Sequence, residues 1–277
     1  MTEKYLTPLS IPPRRLGVYE IKCELQPPGA RLPLGNNRTA FFGQRGTGTV
    51  SWPHETTWHH LLEDGSRIMS DWPIEQKQHN TLLRGFKGDI LVGGLGLGYA
   101  ATILLRRRSV RRIVVVEIAS EIIEMVASFT RDRGCKLTVV HADLFDYLKG
   151  YDGKPFDRAY YDIWSSDGEG TFHETVVPLY KASLGKIKVS PVNWNEDIMR
   201  GQLCAAIRGR LYFEEPGAEF AYPGPPPWEH DGTDSLWHNW AVPYWQWFRA
   251  HPEADHHRMA SIYASIYGGW HWEAIWE

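Results

Sequence analysis

The sequence predicts an α/β fold: a doubly wound, mostly parallel sheet, preceded by a small β-rich domain and followed by a Trp-rich extension. Three observations predict it. Apolar runs alternate with segments of helical periodicity in the middle of the chain. A glycine run, Gly93-Gly94-Leu95-Gly96-Leu97-Gly98, joins the first apolar run to the first helical segment. Acidic residues recur where the apolar runs end. Strands that are apolar on both faces and alternate with helices form parallel sheets covered on both sides. Right-handed crossovers then allow winding in two directions from a central strand.

The elements follow in chain order. Residues 1–70 are rich in Pro, Gly and turn signals, with short extended candidates at 16–25, 39–42 and 47–52, and read as the β-rich domain. Asp89–Gly94 (DILVGG) reads as a buried strand and Tyr99–Leu105 as a helix. Arg112–Ile118 (RIVVVEI) is a second strand. In Glu121–Phe129, residues Ile122, Ile123, Val126 and Phe129 share one helical face, with Ser120 as N-cap. Lys136–His141 is a third strand, Arg158–Ile163 a fourth and Lys186–Val192 a fifth. These elements place an α/β domain over residues 71–215. Beyond it, Gly224-Pro225-Pro226-Pro227-Trp228 makes a stiff connector. The extension, 216–277, holds eight of the 13 tryptophans. Met259, Ile262, Tyr263, Ile266 and Tyr267 recur there at helical spacing.

Composition narrows the function classes. The 277 residues carry a net charge of −3, which argues against a general nucleic-acid backbone binder. The arginines at 106, 107, 108, 111 and 112 precede the second strand, so they belong to its amino edge, opposite the ligand edge. No apolar run reaches the roughly 18–20 residues that span a bilayer. Three widely spaced cysteines, Cys23, Cys135 and Cys204, form neither a disulfide framework nor a metal knuckle. The histidines lack metal-ligand spacing, so no metal is expected. The expectation is a soluble, cytoplasmic protein with no nucleic-acid or membrane partner.

In a doubly wound sheet the ligand lies beyond the carboxyl ends of the strands. Four features fall there. Gly93, Gly94, Gly96 and Gly98 permit a sharp turn and close backbone approach to a ligand. Glu117 closes the second strand, 19 residues after Gly98, where an acid can accept two hydrogen bonds from a ribose diol. Asp143, after the third strand, can accept from an exocyclic amine such as that of adenine. Asp162, after the fourth, stands where the reacting group would lie. The bland alternatives are tight packing for the glycines and a solvated strand end for Glu117. A nicotinamide dehydrogenase also fits Gly96-Leu97-Gly98-Tyr99-Ala100-Ala101. The Gly94–Gly98 pattern and the acids after strands three and four suit an adenosyl-sulfonium site better.

A resemblance sharpens this. Leu62-Glu63-Asp64-Gly65, Ser70-Asp71 with Glu75 and His79, the glycine loop, Val115–Ile118, His141-Ala142-Asp143 and Phe156–Asp162 look like the S-adenosylmethionine-binding class I methyltransferase fold, a Rossmann-like fold. Within it they resemble the spermidine synthase-like, aminopropyltransferase-like branch, over about residues 60–185. The resemblance implies S-adenosylmethionine or its decarboxylated form as cofactor. It puts Glu117 on the ribose, Asp143 on adenine and Asp162 beside an attacking amine. The chain departs from the branch in having Gly96 where its loop carries an aspartate, and Asp162-Ile163-Trp164-Ser165-Ser166-Asp167 where it carries Asp-Ser-Ser-Asp-Pro.

Other residues complete the expected site. Glu75 and His79, four apart on a helix, would share a face toward the glycine loop and act catalytically with Asp162, or be ordinary surface polar residues. Tyr161 and Trp164 offer aromatic faces to a cation, or pack in the core. Asp167 would favour a cationic acceptor, or belong to a solvated loop. The expected function is methyl transfer from S-adenosylmethionine to a small acceptor, such as an amine. Aminopropyl transfer from the decarboxylated form, and a non-catalytic adenosyl-binding module, are the alternatives. The aromatic extension is a packed layer, a lid or a homo-oligomer interface.

Overall fold

The computed structural model describes residues 9–33, 49–51, 53–130, 136–164, 175–196 and 198–199. Asp167, the extended candidate at 39–42 and the whole Trp-rich extension lie outside the described residues. By its contacts the chain forms two compact units, one of Met1–Ser165 with Ala182–Trp194, the other of Ser166–Lys181 with Asn195–Glu277. The site lies in the first unit. In the second, the Tyr180 hydroxyl donates to the Glu196 carboxylate at 2.7 and 2.8 Å.

The first unit opens with β1 (Arg14–Leu16), β2 (Tyr19–Gln26), β3 (Arg31–Pro33), β4 (Thr49–Ser51), β5 (Thr56–Glu63) and β6 (Ser66–Ser70). Strands β1-β2-β5-β6 form an antiparallel sheet, and β3 pairs with β4 separately. Asp64 and Gly65, both at positive φ, turn β5 into β6. Asp71 locks the far end of this hairpin. Its carboxylate accepts from the His59 backbone N–H at 2.6 Å and from His59 Nδ1 at 2.8 Å, with both side chains buried.

Helix α1 (Pro73–Leu82) leads into β7 (Gly88–Gly93), α2 (Tyr99–Leu105), β8 (Val110–Glu117) and α3 (Ser120–Val126). Then come β9 (Leu137–His141), α4 (Leu144–Gly150), β10 (Arg158–Tyr161), α5 (Val177–Ser183) and β11 (Val192–Asn193). The second sheet has the order β11-β10-β7-β8-β9, with every ladder parallel. This is a Rossmann-like doubly wound sheet. The chain winds outward from β7 to β9, then returns across β7 to β10 and β11. Ile90, Leu91 and Val92 of β7 and Val115 of β8 are at most 1% exposed, as the continuous apolar runs require.

Two local expectations are corrected. The fifth strand shrinks from 186–192 to Val192–Asn193, plus an isolated bridge between Phe156 and Ile187. Pro191 interrupts the run, because it has no N–H to give the ladder. Ser120 is not the N-cap of α3. Ala119 holds that position, and its backbone N–H is taken by the Glu117 carboxylate at 2.9 Å. The arginines at the amino edge are engaged there: Arg111 pairs with Asp89 and Asp157, and Arg112 lies over the Phe156 ring.

Candidate functional site

The winding reverses between β7 and β10, and their carboxyl ends open a crevice there. A cavity of about 290 Å³ lies at that edge. The sheet ends contribute Gly94, Gly96, Glu117, Asp143, Asp162 and Trp164. The antiparallel sheet contributes Tyr19, Leu61, Glu63, Ile68 and Met69. Among the described residues that line it there are four carboxylates and no Lys, Arg or His.

Glu117 is 6% exposed and holds the loop by its backbone. Its Oε2 accepts from Leu95 N–H at 2.7 Å and its Oε1 from Ala119 N–H at 2.9 Å. Each oxygen keeps a second lone-pair direction for a ligand hydroxyl. Asp143 caps α4, its Oδ1 accepting from Phe145 N–H at 2.8 Å and Asp146 N–H at 3.1 Å. This is a helix-capping contact made by one oxygen of a residue that also lines the cavity.

Asp162 follows β10 directly, and its N–H donates to the Gly93 carbonyl at 2.9 Å. Its Oδ2 is buried without a hydrogen-bond partner among the described residues. Burial raises its pKa to about 8, and repulsion from Glu75 and Glu117 adds to the effect. The indole Nε1 of Trp164 is likewise buried and unpartnered. Asp162 and Trp164, two residues apart, thus present an acceptor, or a neutral acid, and a donor that no described residue satisfies.

The glycines are required first by the protein. A Cβ on Gly94 (φ +88°) would stand 2.2 Å from the Asp162 carbonyl oxygen. A Cβ on Gly96 (φ +50°) would stand 2.5 Å from Met69 Sδ. Gly93 and Gly98 do not line the cavity: their missing side chains make room for Leu144 and Thr130.

Glu75, His79 and Tyr161 are not among the residues that line the cavity. Glu75 accepts from the Ser70 N–H at 2.8 Å and the Ser70 hydroxyl at 2.6 Å, and burial raises its pKa. Its charge reaches the site through Asp162. His79 is 2% exposed, stacked on Trp194 with ring centroids 4.2 Å apart. Its Nδ1 meets the Tyr160 hydroxyl at 2.9 Å, and burial lowers its pKa to about 3, so the ring is neutral. Tyr161 is fully buried, its hydroxyl 2.8 Å from Ser183 Oγ.

Sequence reasoning missed the wall from the antiparallel sheet. The Tyr19 hydroxyl donates to Glu63 at 3.0 Å, and burial together with Glu63 raises the phenol pKa to about 12. Met69 Sδ accepts from Leu97 N–H at 3.3 Å. Glu63 lies in a quoted motif, but only the packing of the two sheets assigns it a place at the cavity.

No protein-family model and no curated protein matches the chain. Among solved structures it is similar to spermidine synthase from Thermotoga maritima, with 19% identity over 55% of this chain and 54% of that one, at a TM-score of 0.38. A spermidine synthase in complex with the transition-state analogue AdoDATO matches at 20% identity, over 48% of each chain, with a TM-score of 0.36. A Streptococcus mutans protein assigned as a SAM-dependent methyltransferase matches at 14% identity, over 53% of this chain and 42% of that one, with a TM-score of 0.40. The matched region spans about half the length of these structures or less.

Proposed function

We propose that the chain is an adenosyl-sulfonium-dependent transferase acting on a small amine acceptor. One observation carries the reading: a cavity at the switch point of a doubly wound sheet, lined by Glu63, Glu117, Asp143 and Asp162 with no cation among the described lining residues. Such a set favours a cationic ligand and disfavours the pyrophosphate of a dinucleotide. Asp162 Oδ2 and Trp164 Nε1, without a partner among the described residues, fit a polar ligand that completes their hydrogen bonds.

S-adenosylmethionine, when bound, supplies an electrophilic carbon on a good leaving group. The protein's own task is then to bind, align and manage a proton. Glu117 would accept from the ribose diol, and Asp143 from the adenine amine. Asp162 would hold the acceptor amine and take its proton. A cation beside Asp162 opposes the burial and like-charge repulsion that keep its pKa near 8, which favours the carboxylate form needed for that step. Trp164 would lend an aromatic face to the cation.

Methyl transfer is the first reading. Aminopropyl transfer from the decarboxylated sulfonium is the second, favoured by the lack of a lining cation among the described residues to meet a ligand carboxylate. Calorimetric titration of the full chain with both sulfonium compounds tests the proposal. Glu117→Ala, shown folded by circular dichroism, is expected to weaken adenosyl binding about tenfold or more. Unchanged affinity in that variant would overturn the assignment.

A further inference from the structure

We propose that the amino edge of the parallel sheet is a docking surface for a short acidic segment of a partner protein, one that carries apolar side chains among its carboxylates. The proposal is independent of the adenosyl-sulfonium reading, because the cavity lies at the other end of the strands.

The five strands begin at one edge, as their register shows. Gly88 pairs with Val110, Ile113 with Leu137 and Arg158 with Ile90, and Phe156 bridges to Ile187 ahead of β11. The chain segments at that edge are 84–89, 106–112, 136, 152–158 and 186–188. Together they hold twelve Lys and Arg against three Asp and no Glu. The whole chain carries −3, so its charge is divided. Cations collect at the amino edge, and four carboxylates line the cavity at the carboxyl edge.

Two acids of the amino edge are already in use. Asp157 accepts from Arg111 at 2.8 Å and from Lys188 at 2.6 Å, and Asp89 accepts from Arg111 Nε at 3.1 Å. Arg84, Lys87, Arg108 and Lys154 are exposed and make no ion pair among the described residues. Cations left over on one edge raise a positive potential there, and its complement is a polyanion.

Two apolar side chains decide which polyanion. Leu184 is 54% and Val189 36% exposed, and they flank Lys186 and Lys188. Both belong to this edge, because Phe156 N–H donates to Lys186 O at 2.8 Å and Lys188 N–H to Phe156 O at 2.9 Å. A sugar–phosphate backbone gains nothing from such side chains. An evenly anionic surface would also be repelled by Asp89 and Asp157. A peptide can set carboxylates against the free cations and apolar side chains against Leu184 and Val189. Strands about 4.8 Å apart make the edge about 20 Å wide, the length of about six extended residues.

Fluorescence anisotropy of the full chain with a labelled peptide of alternating Glu and Leu tests the proposal. The peptide is expected to bind with a Kd of about 100 μM or tighter in about 50 mM salt, and about tenfold more weakly in about 200 mM salt. Lys87→Glu combined with Arg108→Glu should weaken binding about tenfold, and Leu184→Ser about threefold. All three positions are exposed, so the variants should fold, which circular dichroism checks. Lys22→Glu, an exposed reversal on β2 of the other sheet, should leave affinity within about twofold. Absence of binding overturns the proposal, as does an equal loss in Lys22→Glu or full affinity in the folded Lys87/Arg108 variant. Full affinity in Leu184→Ser also overturns it, because a purely electrostatic patch does not need the leucine. Tighter binding of oligothymidylate or of phosphatidylserine vesicles than of the peptide overturns it in favour of that class of partner.

Discussion

Gly94 and Asp162 meet backbone to backbone: a Cβ on Gly94 would stand 2.2 Å from the Asp162 carbonyl oxygen. The contact joins the loop after β7 to the residue after β10, so it sets the width of the crevice between the two central strands. Neither side can yield cheaply, because Asp162 N–H is bonded to Gly93 O and Gly94 N–H to Val116 O.

Gly94→Ala should therefore cost about 3 kcal/mol, combining a strained positive φ with a clash against backbone. Gly96→Ala should cost about 1–2 kcal/mol, since Met69 is the end of a flexible side chain and can move. Urea denaturation of both variants checks the ranking. An alanine at 94 tolerated better than one at 96 would refute the crevice argument.

Asp162 gives a pH signature. Its folded pKa, about 8, lies above that of an unfolded aspartate. Between about pH 4 and 8 the unfolded state gives up its proton and the folded state keeps it, so this group's contribution to stability falls as pH rises through the window. Asp162→Asn should remove that loss, making the variant more stable than the wild type at about pH 8, on the order of 5 kcal/mol. The gain should vanish near about pH 4. Denaturation at both pH values measures it, and a gain independent of pH would contradict the buried-acid description.

His79 acts in the opposite direction. Burial lowers its pKa to about 3, so the unfolded chain binds a proton that the folded one refuses. The contribution is intact above about pH 6.5 and is lost as pH falls toward the folded pKa, at about 1.4 kcal/mol per unit. His79→Phe keeps a ring against Trp194 and should flatten this slope, at a cost of about 1 kcal/mol for the Tyr160 hydroxyl left without its partner. Equal slopes in variant and wild type would show that His79 protonates freely in the folded protein.

How much was legible in the sequence differs by element. The runs DILVGG and RIVVVEI announce buried parallel strands because no face of them is polar, and β7 and β8 lie there within two residues. The helix at Tyr99–Leu105 falls where expected because glycine at 98, at φ +71°, starts it. The β5–β6 hairpin was hidden. His59, His60, Ser66 and Arg67 dilute its alternation, and the Asp71 carboxylate that stabilises His59 is a tertiary partner. The site divides in the same way. Acids at strand ends can be read off the chain, since a strand end in a doubly wound sheet is a ligand edge. Which of the flanking residues face the cavity cannot. Glu75 and His79 share a helix face as their spacing requires, yet Glu75 binds Ser70 and His79 stacks on Trp194.

The sequence by itself determined the parallel sheet, the glycine loop and the acids beyond its strands. These follow from local hydrophobic patterning, backbone sterics and chain order, which need no knowledge of distant neighbours. Tertiary structure alone decided that Met69 and Glu63 wall the cavity, that Tyr161 and His79 are buried outside its lining, and that burial pushes the Asp162 carboxyl up to about 8. Those outcomes depend on burial and on charges brought close by two sheets far apart in sequence, and burial and electrostatic coupling are properties of the packed molecule.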